Sequence, residues 1–104
     1  MSRRAAKIDA NQTAIIKALR AAGASVQPLH TVGSGCPDLL VGYRSRNVLL
    51  EIKDGELSPS HRKLTEAQAE WHFRWNGRVH VVKDVTEALF AVGVPYRKHE
   101  AARD

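Results

Sequence analysis

Three charged residues stand in two short apolar segments that read as buried strands. The segments are residues 37–42 (PDLLVG) and 48–53 (VLLEIK), joined by a short polar turn. Asp38 opens the first segment, and Glu51 and Lys53 close the second. Burying a carboxylate is costly unless it is paired with a partner or bound to a cation. These charges therefore indicate a site with chemistry of its own.

The spacing of these charges favours a divalent cation. Side chains alternate along a strand, so Glu51 and Lys53 project from the same face. If the two segments pair as a hairpin, Asp38 comes close to Glu51 at its open end. Neighbouring carboxylates repel each other unless a cation lies between them, and oxygen ligands suit Mg²⁺ or Mn²⁺. We therefore predict a Mg²⁺ or Mn²⁺ site made by Asp38, Glu51 and the backbone carbonyl of Ile52.

Lys53 and a glycine-rich turn extend this chemistry to phosphate. The Lys53 ammonium group would orient or help to deprotonate a water, or stabilise charge on a scissile phosphate. The turn at residues 33–35 (GSG), with Ser34 at its centre, would bring backbone N–H groups close to a phosphate. The combination points to phosphodiester hydrolysis.

Simpler explanations exist for each residue. Asp38 could cap a turn after Pro37, and Glu51 with Lys53 could be a charge pair that protects an edge strand from aggregation. Taken together they account for the pattern less well than a metal site does. We expect Trp71 and Trp75, four residues apart, to pack in the core. The five histidines fit no metal-binding spacing, and we expect them to be structural or to face solvent.

Composition limits the remaining possibilities. The chain has 104 residues, enough for one small core, and 43% of them are hydrophobic. Its single Cys excludes an internal disulfide and a Cys-rich zinc site. No apolar run is long enough to span a membrane and none follows the basic N-terminus as a signal, so we expect a cytoplasmic protein. The net charge of +5 favours nucleic acid, and we expect phosphate contacts from four basic residues near the charged strands: Arg44, Arg46, Arg62 and Lys63.

Periodicity and capping signals predict the elements that position these residues. The order is helix, three strands, helix, strand, helix, which is an α/β domain with a central mixed sheet flanked by helices. Asp9 with Gln12 and Thr65 with Gln68 match the capping-box pattern at two helix starts, and Pro28 marks its strand as an edge. We predict a flexible basic arm at residues 1–8, the domain at 9–93 and a charged tail at 94–104. The predicted helices cover about 10–22, 65–75 and 85–92, and the predicted strands cover 24–32, 37–42, 48–53 and 78–83.

At this point the chain resembles the PD-(D/E)XK nucleases. Pro37-Asp38, followed after a spacer by Glu51-Ile52-Lys53, matches the motif of that superfamily. The surrounding residues 33–42 and 64–68 are similar to its small VRR-NUC branch, which includes phage-encoded members. The resemblance covers roughly residues 9–90 and implies a single restriction-endonuclease-like domain.

The resemblance also implies functions for individual residues. Asp38 and Glu51 would be metal ligands, Lys53 the catalytic lysine, and Gln68 an additional motif residue. For Gln68 the capping box with Thr65 is a full structural alternative. The implied activity is that of a metal-dependent endonuclease. The resemblance to small members of the branch also implies a homodimer that cuts branched DNA such as four-way junctions.

One departure from the pattern stands out. Many members of the superfamily carry a Glu on the first helix that completes the metal shell, whereas the helix that begins near Asp9 has none. Asn11 or Asp9 would take its place. The missing Glu motivates an alternative function, a nucleic-acid-binding module that keeps the nuclease fold but has little or no activity.

Overall fold

Three helices and four strands make up the computed structural model, which describes residues 3–61 and 63–95. This order confirms the predicted α/β domain with a mixed sheet and flanking helices. A short 3-10 turn at Pro59–His61 lies in the loop before the second helix. In chain order the elements are α1 (Arg3–Ala21), β1 (Ser25–Pro28), β2 (Leu39–Tyr43), β3 (Arg46–Ile52), α2 (Glu66–Arg74), β4 (Val79–Val82) and α3 (Val85–Val92).

The sheet has the strand order β1-β2-β3-β4. The pairs β1–β2 and β2–β3 are antiparallel, and β4 is parallel to β3. Pro28 ends β1 at the sheet edge, as predicted. Because β3 has a neighbour on each side, the explanation of Glu51 and Lys53 as an edge-strand charge pair is wrong.

The alternation of side chains along β3 gives the sheet two different faces. Val48, Leu50 and Ile52 point into the hydrophobic core, which α1 and α3 cover. Leu49 and Glu51 therefore point to the opposite face. Both faces of β3 are covered, which is why five consecutive residues of this strand are buried. In the part of the chain that the structure describes, no helix has the length and apolar character that crossing a membrane requires.

The first helix begins earlier than the sequence signals indicate. It starts at Arg3 and takes in residues 3–8, which the sequence analysis assigned to an arm, so Asp9 is not its N-cap. The residues before Asp9 are Arg, Ala, Lys and Ile, and none of them breaks a helix. The helix ends at Ala21, close to the predicted end at residue 22, and Gly23 follows with a positive φ of 96°, as is common after a helix.

A tight turn joins β2 to β3. Only Arg44 and Ser45 lie between the strands, and both adopt a positive φ, 50° and 66° respectively. Two-residue hairpins of this kind are usually made with Asn and Gly, because a side chain strains the left-handed conformation. The Arg44 guanidinium lies 5.2 Å from the centre of the Tyr43 ring, a contact that holds the turn against the end of β2.

We expect Ser45→Gly to stabilise the protein by about 0.5–1 kcal/mol, because relief of the left-handed strain exceeds the entropy cost of glycine in the unfolded chain. Urea denaturation of the variant and the wild type measures the difference. Ser25→Gly in the extended strand β1 is the matched control and should lower the free energy of unfolding. A loss of stability in both variants would contradict the interpretation of this turn.

Candidate active site

Asp38 and Glu51 face each other at the open end of the β2–β3 hairpin. The ladder ends with Leu39 paired to Leu50, and the charge of Asp38 acts on Glu51, so the two side chains lie close together at this end of the hairpin. The Asp38 N–H donates to the carbonyl of Leu50 at 3.0 Å. Its carboxylate oxygen Oδ2 accepts from the Ile52 N–H at 2.7 Å. Asp38 is therefore fixed as an extension of the ladder and does not act as a simple turn cap.

The environment of Glu51 strongly disfavours its charged form. Its side chain is 2% exposed. Burial first, then the charge of Asp38 and a hydrogen bond with it, raise the pKa of Glu51 from 4.5 to about 8, against the opposing effect of Lys53. In the absence of a cation, Glu51 is therefore expected to keep its proton near neutral pH.

Gln68 connects the charged residues of β3 to α2. Its Oε1 accepts from Lys53 Nζ at 2.7 Å and from the Thr65 N–H at 2.9 Å. Its Nε2 donates to Glu51 Oε2 at 3.1 Å. The capping box with Thr65 is present as well. The two explanations of Gln68 in the sequence are thus compatible, because one amide closes the cap and bridges Glu51 to Lys53.

His72 also lies at this site, which the sequence analysis did not foresee. It follows Gln68 by four residues on α2, so both side chains share the helix face that meets Glu51. The His72 Nε2 lies 3.7 Å from Glu51 Oε1. His72 is largely buried at this contact and does not face solvent. Its spacing from Gln68 was the one available signal.

The glycine-rich turn packs against the start of α2. Gly35 has a φ of 84°, and a Cβ on it would lie 2.3 Å from the carbonyl oxygen of Ala67. Only glycine fits this approach. Ser34 is exposed beside the same helix, and Cys36 follows at the approach to Asp38. Burial, followed by the charges of Glu51 and Asp38, raises the pKa of the Cys36 thiol.

Among the side chains that the structure describes, those of residues 10–60 and 63–95, no third His, Cys, Asp or Glu joins the carboxylate pair as a possible metal-binding group. The Asn11 Nδ2 donates to the carbonyls of Lys53 and Lys83, each at 3.0 Å, and so ties α1 to the ends of β3 and β4. The side chain of Asp9 lies outside the described part of the structure.

The basic residues expected to contact phosphate are spread over the domain. Arg44 and Arg46 are exposed at the turn end of the hairpin. Arg46 is five residues from Glu51 along β3, or roughly 17 Å at the rise of a strand. Lys63 is exposed just before the Thr65 cap, on the site's side of the domain, and Arg62 lies outside the described residues. Arg44 and Arg46 therefore do not lie beside the carboxylates.

Trp71 and Trp75 do not enter the core, so the expectation that they would pack there is wrong. Their rings stack on each other with centres 4.8 Å apart. Trp75 is 45% exposed, and α2 contributes no fully buried residue. The helix contacts the rest of the domain through the packing of Gly35 against Ala67 and through polar contacts of Gln68 and His72, while Phe73 stays exposed.

We expect Thr65→Ala to lower the free energy of unfolding by about 1 kcal/mol, the usual cost of losing an N-cap. The variant loses the Thr65 Oγ1 that accepts from the Gln68 N–H at 3.1 Å. Urea denaturation measures the change, and Thr86→Ala, at an exposed position within α3, is the control. Equal stability of the two variants would argue against the cap as the main anchor of α2.

Comparisons with known proteins give one structural match. No family model matches the chain, and no curated protein matches it. A solved structure described as a VRR_NUC domain matches 86% of this chain and 98% of its own, with a TM-score of 0.64 and 26% sequence identity. The match bears out the resemblance seen in the sequence. The chain is a VRR-NUC-like, nuclease-type domain.

Proposed function

We propose that the protein is a Mg²⁺- or Mn²⁺-dependent endonuclease that hydrolyses phosphodiester bonds in DNA, with a preference for branched DNA. The observation that carries the proposal is the buried Glu51 beside Asp38, because burial and the neighbouring charge both disfavour an ionised Glu51 unless a cation is bound. A charged carboxylate that is only 2% exposed lowers the stability of the fold unless it binds a partner such as a cation.

The donor atoms at the site suit a hard divalent cation. Asp38 and Glu51 supply carboxylate oxygens, and Glu51 Oε1 is buried without a hydrogen-bond partner among the described residues. The Ile52 N–H points to Asp38. The N–H and C=O of one strand residue point to the same side, so the Ile52 carbonyl faces Asp38 too. Mg²⁺ commonly takes one or two carboxylates and completes its shell with water and substrate phosphate.

Each residue of the site would have a different function in hydrolysis. Asp38 and Glu51 would hold the cation, which when bound stabilises charge on the phosphate and makes water a better nucleophile. Lys53 would orient the attacking water or donate a hydrogen bond to a non-bridging phosphate oxygen. Gln68 accepts from Lys53 Nζ at 2.7 Å, which limits the motion of the ammonium group.

The shape of the domain supports an extended substrate. Lys63 and Ser34 are exposed near α2, whereas Arg44 and Arg46 lie roughly 17 Å from Glu51 along the hairpin. A DNA strand that reached both ends would span about five nucleotides. We propose that a homodimer provides the surface for two arms of a branched substrate. Light scattering that gives a monomer even with bound junction DNA would refute the dimer and leave the nuclease proposal standing.

A cleavage panel tests the proposed function. Four-way junction, flap, nicked duplex, intact duplex and single strand are each incubated with Mg²⁺, Mn²⁺ or a chelator. We expect cleavage only with a divalent cation, fastest on the junction, and none by Asp38→Ala. Equal cleavage by Asp38→Ala and the wild type would refute the assignment of the site.

The panel also decides about a second candidate function. The lack of a third acidic side chain among the described residues favours a nucleic-acid-binding module with little activity. That function predicts salt-sensitive binding of DNA without any metal-dependent product. Single-turnover cleavage in Mn²⁺ would eliminate it.

A further inference from the structure

Two buried polar atoms at the site face each other without a hydrogen bond. They are His72 Nε2 and Glu51 Oε1, which lie 3.7 Å apart and have no hydrogen-bond partner among the described residues. The two side chains are 14% and 2% exposed. Each unpaired buried polar group costs about 1–3 kcal/mol of stability. A small movement that brought the two atoms within hydrogen-bond distance would remove both penalties. Hydrogen bonds at active sites are often long before substrate binds and tighten in the complex.

The direction of a hydrogen bond between the two groups follows from their chemistry. A neutral imidazole carries one N–H, and an ionised carboxylate can only accept. When Glu51 is ionised, the hydrogen must therefore lie on Nε2 for the two atoms to pair.

The other oxygen of Glu51 is already held. Gln68 Nε2 donates to Oε2 at 3.1 Å from the same face of α2. A donor on each oxygen would fix the plane of the carboxylate, and the remaining lone pairs would stay available to a cation. Outer groups that orient metal-binding side chains typically change metal affinity 10–100-fold when they are removed.

We propose that His72 is a positioning residue that donates its Nε2–H to Glu51 Oε1 and so orients this carboxylate for a divalent cation. The hydrogen bond and the orientation of the carboxylate do not depend on the proposed function, whereas their effect on cation binding rests on it.

The tautomer of His72 tests the hydrogen bond without any metal. ¹⁵N NMR of the imidazole nitrogens is recorded in chelator, about one pH unit above the Glu51 pKa of about 8. We expect Nε2 to carry the hydrogen and Nδ1 to be bare. A hydrogen on Nδ1 with a bare Nε2 would overturn the proposal, whether or not the protein is a nuclease.

Mn²⁺ binding tests the consequence for the cation. His72→Leu removes the donor at similar size, and His72→Asn keeps an amide that is too short to reach. His72→Gln places an Nε2 donor at about the original distance. We expect the first two variants to bind Mn²⁺ about 10–100-fold more weakly by calorimetric titration and His72→Gln to stay within about threefold of the wild type. Circular dichroism confirms that each variant is folded.

The control is Phe73→Leu, at a position that is 90% exposed on the opposite side of α2, and it should bind like the wild type. Wild-type affinity in His72→Leu would overturn the positioning function while the nuclease proposal stands. A wild-type protein that binds no Mn²⁺ would overturn the proposed function and the metal part of this inference together, and the tautomer would then decide the hydrogen bond alone.

Discussion

Glu51→Gln should lower the single-turnover rate of metal-dependent DNA cleavage by about 10³-fold or more. The amide keeps the shape of the side chain and its contact with Gln68, but it removes the negative charge that would hold the cation. The loss should therefore persist at saturating DNA, because chemistry fails while DNA binding remains. Rates are measured with enzyme in excess over a labelled four-way junction in Mn²⁺.

Glu70→Gln is the matched control for this variant. Glu70 lies on α2 as well, but it is exposed and pairs only with Arg74 at the surface. Its rate should stay within about twofold of the wild type, because exposed ion pairs contribute little. If Glu51→Gln cleaved as fast as Glu70→Gln, Glu51 could not be a metal ligand in the reaction.

The second large effect concerns stability in the absence of metal. Folding raises the pKa of Glu51 from 4.5 to about 8, so the folded protein binds this proton more tightly than the unfolded chain does. The stability that this proton provides is fully present below about pH 4.5 and is lost as the pH rises through about 8. The shift corresponds to a loss on the order of 3–5 kcal/mol across this window.

Urea denaturation in chelator, from about pH 5 to about pH 9, measures this loss. Glu51→Gln cannot ionise, so its free energy of unfolding should change much less and should exceed that of the wild type at the alkaline end. A difference between the two proteins that stayed constant with pH would contradict the assigned environment of Glu51. Mg²⁺ at 100 times its dissociation constant should return about 2.7 kcal/mol to the wild type only.

The opposite effects of Glu51→Gln on activity and on stability are what we expect at a functional site. If a residue had been selected for stability, its neutralisation would make the protein less stable. A buried carboxylate retained for cation binding should instead give a more stable and inactive protein when it is replaced by its amide.

The sequence was most informative along β2 and β3. Alternation and apolar runs depend on local geometry, so they predicted the hairpin, the proximity of Asp38 to Glu51, and the cap of α2 at Thr65. The helix at residues 85–92 was also predicted, and the structure caps it with Asp84 and Gly93, which need no tertiary contact to do so.

Tertiary placement accounts for what the sequence did not show. His72 becomes part of the site only because α2 lies over Glu51, and no periodicity specifies that docking. Arg44 and Arg46 are near the charged strands in sequence, yet the hairpin carries them to its far end. The early start of α1 was missed because Asp9 is a good cap that the helix does not use.

The most direct test is the rate of junction cleavage as Mn²⁺ is titrated, for the wild type and for Asp38→Asn purified in the same way. This variant keeps the side-chain shape that accepts the Ile52 N–H but loses the charge. If Asp38 and Glu51 hold the cation, cleavage by the wild type rises with Mn²⁺ and stops in chelator, and the rate of the variant is about 10³-fold lower. Cleavage that survived chelation, or equal rates for the two proteins, would contradict this assignment.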